Sequence, residues 1–263
     1  MIELTRFDDV LRIRMWTRRS ALVGYDVSAY LVRGILVDTG LRHVREELER
    51  ALSELRPRGV IVTHWHEDHA GNAPTLAADY PMWMSEYTER KLRERQQVKL
   101  YRHFTWGRPK ALEGILTPLD VSPLRTIATP GHSPDHHVIF DPETATLFSA
   151  DLWLGVRVRI VGSSENPYEI IASLERAIAL QPRRMFDAHR GLVENPMMAL
   201  NAKRAWLLET VREIERRLAA GDAEKSIVRS VLGGEERTAV VSQGEYSRRN
   251  LVRSVKRHQR RSD

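Results

Sequence analysis

The sequence predicts an α/β fold, because strand-like and helix-like hydrophobic patterns alternate along its first two-thirds. Val10–Met15 alternates apolar and basic residues, as expected of a strand with one solvated face. Between residues 41 and 55 the apolar positions recur at helical spacing, and the apolar run at 60–63 is typical of a buried strand. Loops that follow such strands commonly carry functional residues, so the strand ends are where a site is expected.

The middle of the chain predicts further strands and helices. Two short apolar runs on either side of Arg33 and Gly34 indicate a β-hairpin. Residues 88–113 are polar, basic and aromatic, and they predict a helical insertion that ends irregularly near Trp106. Later strands are predicted within residues 124–132, 136–141, 144–153 and 184–191, and a helix is predicted over 168–180.

The strand pattern disappears in the last quarter of the chain. Leu207, Val211 and Leu218 recur at helical spacing and predict a long amphipathic helix. We therefore predict one domain over residues 1–196 and a small α-helical module over residues 197–263.

Positive charge is concentrated at the C-terminal end. The net charge of the chain is +6, and residues 241–263, with seven Lys/Arg and two Asp/Glu, carry +5 of it. A charged run of this kind is most often one face of a solvated helix, and this is the interpretation we favour. The alternative is a surface that binds RNA or another anionic partner.

The composition excludes several classes of function. The chain has 263 residues with 42% hydrophobic and 29% charged residues, which is ordinary for a globular protein that buries its own core. It contains no cysteine, which excludes disulfides, thiolate metal sites and a cysteine nucleophile. The first residues lack the apolar centre of a signal peptide, and no run approaches the roughly 20 apolar residues of a membrane helix. We therefore expect a cytoplasmic protein without a membrane partner.

The stretch VIVTHWHEDHAGN, residues 60–72, concentrates potential metal ligands directly after a predicted strand. In an extended chain, residues two apart point the same way, so His64 and His66 face one point. The chain then turns, and Asp68 and His69 can reach the same region. Imidazole nitrogens and carboxylate oxygens are the usual non-thiolate ligands of zinc, so this stretch predicts a metal site.

Three more potential ligands follow other predicted strands. They are His132 in TPGHSPDHH, Asp151 in LFSADLW and His189 in MFDAHRG. A single histidine in a loop is more often structural, but all three residues share a position after a strand. We therefore predict that they complete the metal site.

Taken in this order, THWHEDHAGN, TPGHSPDHH, SADLW and DAHRG resemble the motifs of the metallo-β-lactamase superfamily. The resemblance covers about residues 1–195. It implies a four-layer αββα sandwich, in which two mixed sheets face each other, helices cover the outer faces and metals bind at one edge. The helical C-terminal module is similar in kind to those of glyoxalase II-like and β-lactamase-like-2 proteins, and the latter end in a small winged-helix-like unit.

The resemblance also assigns the ligands. It implies that one metal is bound by His64, His66 and His132, and that a second metal is bound by Asp68, His69 and His189. It also implies that Asp151 bridges the two metals. This complete set implies two Zn²⁺ ions per chain, with Fe or Mn as alternatives. Diiron relatives usually carry Glu in place of His66, which argues against their redox chemistry. The mononuclear iron members use fewer ligands, so the complete set also argues against their chemistry.

The implied activity is hydrolysis by a hydroxide that bridges the two metals. Asp68 is the predicted catalytic residue, because it would bind metal and orient this nucleophile. We expect an ester-like bond, a thioester or a lactone, in a small acidic substrate. The alternative is a metal-dependent endoribonuclease that cleaves single-stranded RNA, with the basic residues 241–263 binding phosphates.

A few other residues near the motifs also prompt expectations. Glu67 and Asp135 are candidates to hold the histidine rings, although a solvated position is favoured for both. His136 is interpreted as structural. The aromatic and basic segment at 99–110 predicts either a wall of the substrate pocket or a helical insertion that packs into its own core.

Overall fold

The computed structural model describes residues 1–22, 24–94, 98–108 and 110–262. Its first sheet contains six strands in sequence order: β1 (Ile2–Phe7), β2 (Val10–Met15), β3 (Val27–Val32), β4 (Ile35–Val37), β5 (Gly59–Ile61) and β6 (Met82–Trp83). Strands β1 to β4 are antiparallel neighbours, whereas β4, β5 and β6 run parallel. The predicted hairpin turn joins β3 to β4 with both of its residues at positive φ, Arg33 at 51° and Gly34 at 71°.

The second sheet contains five strands: β7 (Arg125–Ala128), β8 (His137–Asp141), β9 (Thr146–Ala150), β10 (Arg184–Asp187) and β11 (Gly191–Val193). Its strand order is β11-β10-β9-β8-β7, with β9 and β10 parallel and the other neighbours antiparallel. Strand β11 was not predicted, because three residues at a sheet edge are too short to show a hydrophobic period.

The helices cover the outer faces of the sheets and form most of the C-terminal quarter. They are α1 (Arg18–Leu22), α2 (Arg45–Leu55), α3 (Glu67–Ala70), α4 (Ala73–Leu76), α5 (Glu86–Arg93), α6 (Leu100–Trp106), α7 (Pro167–Ala179), α8 (Pro196–Ala219), α9 (Glu224–Leu232), α10 (Arg237–Val241) and α11 (Arg249–Ser262). The helical insertion predicted over 88–113 is thus split into α5 and α6; residues 95–97 and 109 of it lie outside the described residues.

Three apolar clusters define four layers. Between the sheets, Ile61 of the first sheet packs in one cluster with Phe148 and Phe186 of the second. On the outer face of the first sheet, α2 buries its apolar stripe, including Leu48. On the outer face of the second sheet lies a cluster shared by α7, α8, α9 and α11, which includes Leu174. This arrangement confirms the predicted αββα sandwich with helices at its C-terminal end.

The basic C-terminal segment is part of this core rather than a free tail. Helix α11 buries Leu251, Val252 and Val255, and its basic face is partly neutralised by one acidic residue of α9. That residue, Glu224, forms ion pairs with Arg249 (2.9 Å), Arg253 (3.3 Å) and Lys256 (3.3 Å). The described part of residues 197–263 is helical and contains no β-hairpin. Among the described helices, none is both long enough and apolar enough to span a bilayer.

Candidate metal centre

All seven predicted ligands lie together at one edge of the sandwich. Parallel strands place their carboxyl ends at the same edge of a sheet, so the residues after β9 and β10, Asp151 and His189, come close to each other. His64 follows β5 of the facing sheet, and His132 follows β7. The helix α3 begins at Glu67, in the middle of the histidine motif, and turns the rest of that motif back toward the same edge.

The first cluster consists of His64, His66, His132 and Asp151, whose ligand atoms all lie within 4.8 Å of one another. The Nδ1 atom of His66 is 3.0 Å from Nε2 of His64 and 2.9 Å from Nε2 of His132. One oxygen of Asp151, Oδ2, lies 3.2 Å from Nε2 of His132. Three imidazole nitrogens and one carboxylate oxygen thus converge on one point.

The second cluster consists of Asp68, His69, His189 and again Asp151, also within 4.8 Å. The other oxygen of Asp151, Oδ1, lies 3.2 Å from Nε2 of His69 and 3.3 Å from Nε2 of His189. Oδ2 of Asp68 lies 3.7 Å and 3.9 Å from the same two nitrogens. Asp151 therefore directs one oxygen to each cluster, which is the geometry that a bridging ligand requires.

Unpaired polar atoms inside the clusters fit a metal. Nε2 of His69 and Oδ1 of Asp151 are buried and form no hydrogen bond with the described residues. Buried polar atoms are nearly always satisfied, so these two atoms call for a partner that the polypeptide does not supply. The donor set of imidazole and carboxylate suits a divalent metal such as zinc.

In the second cluster, hydrogen bonds behind the rings fix which nitrogen faces inward. His69 donates from Nδ1 to Oδ2 of Asp38 over 2.8 Å. His189 donates from Nδ1 to the backbone carbonyl of Asp26 over 2.6 Å. Both rings therefore carry a proton on Nδ1 and direct Nε2 inward, where a metal can bind it, which is the usual arrangement of metal-binding histidines.

The first cluster has corresponding acceptors. His64 donates from Nδ1 to Oγ1 of Thr63 over 3.1 Å, and that hydroxyl in turn donates to Asp38. Nδ1 of His132 lies 3.3 Å from Oε1 of Glu165. The sequence alone does not reveal the roles of Asp38 and Glu165, because a single carboxylate at a strand end or in a loop carries no motif.

The two residues suggested to hold the rings have other contacts. Glu67 and Asp135 are both buried, so the favoured solvated position is wrong for each. Glu67 forms an ion pair with Arg102 of α6. Asp135 accepts hydrogen bonds from the backbone amide of Trp65 (2.9 Å) and the hydroxyl of Thr88 (2.7 Å), so it holds the motif backbone rather than a ring.

His136 positions the bridging residue. Its Nδ1 lies 2.9 Å from the hydroxyl of Thr129, and its Nε2 accepts the backbone N–H of Asp151 over 3.1 Å. Burial and the neighbouring His132 and His69 lower the pKa of His136 well below its ordinary value, so the ring is neutral and can accept that hydrogen bond. The interpretation of His136 as structural agrees with these contacts.

Charge differs between the clusters. Burial, together with the neighbouring imidazoles, lowers the pKa of His64 and of His66 well below the ordinary value. Burial also opposes the charged form of His189, but the close approach of the Asp151 carboxylate (3.3 Å) and the charge of Asp68 raise the pKa of His189 to about 9. The same carboxylates raise the pKa of His69 well above its ordinary value.

Tyr25 also reaches the second cluster, although sequence analysis did not find it. Its hydroxyl donates to Oδ2 of Asp68 and lies 3.4 Å from Nε2 of His189. Burial and the charges of Asp68 and Asp151 raise the pKa of Tyr25 well above its ordinary value. It lies 43 residues before Asp68, in the loop between α1 and β3, where no sequence pattern marks it.

The segment at 99–110 borders the centre. Trp106 packs edge-on against Tyr25 with ring centroids 5.5 Å apart. Arg102 bonds to Glu67 of the metal motif and to Glu245 near the C-terminus (2.6 Å). Trp106 is buried and packs beside the second cluster, whereas Phe104 is half exposed.

Fold and centre together define a class: an αββα sandwich with paired His/Asp clusters that share one carboxylate. Residues 22–204 match the family model described as Metallo-beta-lactamase superfamily. The chain belongs to this superfamily, whose members bind divalent metals, and its two clusters suit such a site.

Two curated relatives illustrate the similarity. The Beta-lactamase-like protein 2 homolog of Drosophila melanogaster is 28% identical over 205 residues, which cover 68% of this chain and 63% of that protein. The Atrochrysone carboxyl ACP thioesterase of Aspergillus fumigatus is 28% identical over 165 residues, covering 61% and 48% respectively. The chain thus spans about half to two-thirds of the length of these relatives.

Solved structures confirm the fold. The metallo-beta-lactamase family protein TTHA1429 from Thermus thermophilus superposes with a TM-score of 0.63 at 19% identity, covering 87% of this chain and 89% of that one. The DIM-1 metallo-beta-lactamase gives a TM-score of 0.61 at 15% identity, covering 79% and 97%.

Proposed function

We propose that this chain is a hydrolase with two zinc ions, which cleaves a thioester of a small, acidic molecule. One observation carries the proposal: Asp151 directs its two oxygens to two separate clusters of imidazole and carboxylate groups. When bound, two such metals would lower the pKa of a water to about 7 and would polarise the substrate carbonyl.

The residues of the chain have separate tasks in this proposal. Hydrogen-bond acceptors behind the histidine rings keep the metal-binding nitrogens directed inward, as Asp38 does for His69. Asp68 is the proposed catalytic residue, since its carboxylate faces the inward nitrogens of His69 and His189 and could orient the attacking water. The reaction needs no side-chain nucleophile, in agreement with the absence of cysteine.

A thioester is favoured over a lactone by the relatives. Three of the similar curated proteins, from Aspergillus fumigatus, Pseudocercospora fijiensis and Claviceps purpurea, are atrochrysone carboxyl ACP thioesterases, at 26–28% identity over 60–70% of this chain. The family alone does not choose among esters, because one fold supports many substrates.

An acidic substrate is supported by basic groups next to the centre. Arg190 directly follows the ligand His189, and its guanidinium lies over the ring of Trp153, 5.7 Å from the centroid. Arg108 and Lys110 follow α6 and are exposed. A guanidinium can bind a carboxylate or phosphate through two parallel hydrogen bonds.

The ribonuclease alternative has less support. It requires the basic residues of 241–263 to bind phosphates, but Arg249, Arg253 and Lys256 already pair with Glu224. Helix α11 is also part of the core, so deleting it would destabilise the fold and would not test RNA binding. The exposed Arg257 and Arg260 provide a milder test by substitution.

The decisive experiment is a substrate panel run on the zinc-loaded protein and on the protein after chelation. The panel contains acyl-CoA thioesters, S-lactoylglutathione, homoserine lactones and single-stranded RNA. We expect metal-dependent hydrolysis of at least one thioester, unchanged in Arg257→Ala/Arg260→Ala. Cleavage of RNA but of no thioester, weakened by that double variant and by salt, would replace this proposal with the alternative.

A further inference from the structure

We propose that Tyr25 is a positioning residue of the second cluster: its hydroxyl fixes the Asp68 carboxylate so that this cluster holds its metal tightly. The inference rests on the metal centre of the proposed function but not on the identity of the substrate. Nothing in the family pattern or in the sequence motifs assigns a role to this residue.

The hydroxyl of Tyr25 lies among the ligand atoms. It donates a hydrogen bond to Oδ2 of Asp68, the carboxylate oxygen that faces the nitrogens of His69 and His189. It also lies 3.4 Å from Nε2 of His189. The phenol therefore contacts two of the four residues of the second cluster.

Among the described residues, Tyr25 is the one that donates a hydrogen bond to the side chain of Asp68. The other neighbours of Asp68 in the cluster are the two histidine nitrogens at 3.7 Å and 3.9 Å, which a metal would also engage. His69 and His189, in contrast, are each fixed from behind by an oxygen of Asp38 or Asp26. Tyr25 thus gives Asp68 the support that those acceptors give the histidines.

The ring of Tyr25 is itself well supported. It packs against the imidazole of His189 with centroids 4.8 Å apart and against Trp106 with centroids 5.5 Å apart. Phenylalanine at this position keeps both contacts and loses only the hydroxyl. Tyr25→Phe therefore tests the hydrogen bond without opening a cavity.

The test is zinc titration of the metal-free protein by calorimetry, with the absorption spectrum of the cobalt-substituted protein as a second readout. Loss of a hydrogen bond behind a metal ligand typically costs about 10–100-fold in affinity. We expect Tyr25→Phe to weaken the second zinc by this factor, to leave the first unchanged and to alter the cobalt spectrum. The melting temperature of the metal-free protein should stay close to that of the wild type.

A matched control completes the design. Tyr168→Phe also removes a hydroxyl that donates to a carboxylate, Glu215 at 2.6 Å, but on α7, where the ring stacks on His258. This variant should bind both zinc ions as the wild type does.

The contrary results are distinct. Wild-type binding of two zinc ions by Tyr25→Phe, with an unchanged cobalt spectrum, would overturn the role of Tyr25 and leave the proposed function intact. An equal loss in Tyr168→Phe would also overturn it. A wild-type protein that binds no second zinc would overturn both proposals.

Discussion

The two metal clusters share Asp151 and the same residue types, yet they differ in charge. In the first cluster, burial and neighbouring rings keep the pKa of His64 and His66 well below the ordinary value, so both imidazoles are neutral. In the second cluster, Asp68 and Asp151 raise the pKa of His189 to about 9 despite its burial. Without metal, the first cluster is largely ready to bind, whereas the second is occupied by protons.

Because of this difference, we expect the two clusters to bind metal in different ways. Metal ligands must be deprotonated, so a metal that enters the second cluster displaces protons from His69 and His189. The third histidine of the first cluster, His132, is intermediate: burial opposes its charge, but Asp151 and Glu165 raise its pKa. We infer that metal binding by the first cluster depends mainly on the geometry of its ligands. Metal binding by the second cluster depends on pH.

Removing Asp68 should have the largest effect. Asp68→Ala deletes a ligand of the second cluster only, so one metal should remain in the first. We expect turnover of the thioester to fall by about 10³-fold or more, the upper range for the loss of one preorganised electrostatic group. Steady-state kinetics and metal analysis of the same sample measure both; wild-type turnover would show that Asp68 is not catalytic.

Removing His66 should have the complementary effect. Nδ1 of His66 is within 3.0 Å of Nε2 of both His64 and His132, so His66→Ala opens the centre of the first cluster. We expect metal content to fall from two ions to one, with the remaining ion in the second cluster. If His66→Ala retained two tightly bound ions, the assignment of His66 to the first cluster would be wrong.

The sequence predicted which residues would cluster better than it predicted their surroundings. His64, His66, Asp68 and His69 lie in one short motif after a strand, where spacing alone places them together. Even the distant members of the clusters could be predicted, because they follow strands whose ends meet at one edge.

The supporting residues could not be found in this way. Asp38 contacts His69 because the residues around Thr39 pack beside helix α3. These two parts of the chain are about 30 residues apart. Arg102 contacts Glu67, 35 residues before it, and Glu245, 143 residues after it. Such contacts depend on how elements pack, and a single sequence carries no period or spacing that indicates them.

Removing the charge behind His69 should have a moderate effect confined to the second cluster. Asp38→Asn keeps the size of the side chain but replaces the carboxylate that accepts from His69 and Thr63. We expect about 10–100-fold weaker binding of the second zinc, with the first less affected. Calorimetric titration separates the two events; equal weakening of both would indicate a general distortion, since Thr63 also supports His64.

The smallest expected effect is the pH dependence of the metal-free fold. The folded pKa of His189, about 9, exceeds the ordinary value of 6.5, so the protonated ring stabilises the fold fully below pH 6.5. This contribution is lost as pH rises through 9. We expect the melting temperature of the chelated protein to fall by a few degrees over this range relative to His189→Gln.

The zinc-loaded protein should show the opposite trend, because deprotonated imidazoles bind metal better as pH rises. If the melting temperature changed with pH in the same way with and without zinc, the inferred difference in protonation between the two clusters would be wrong.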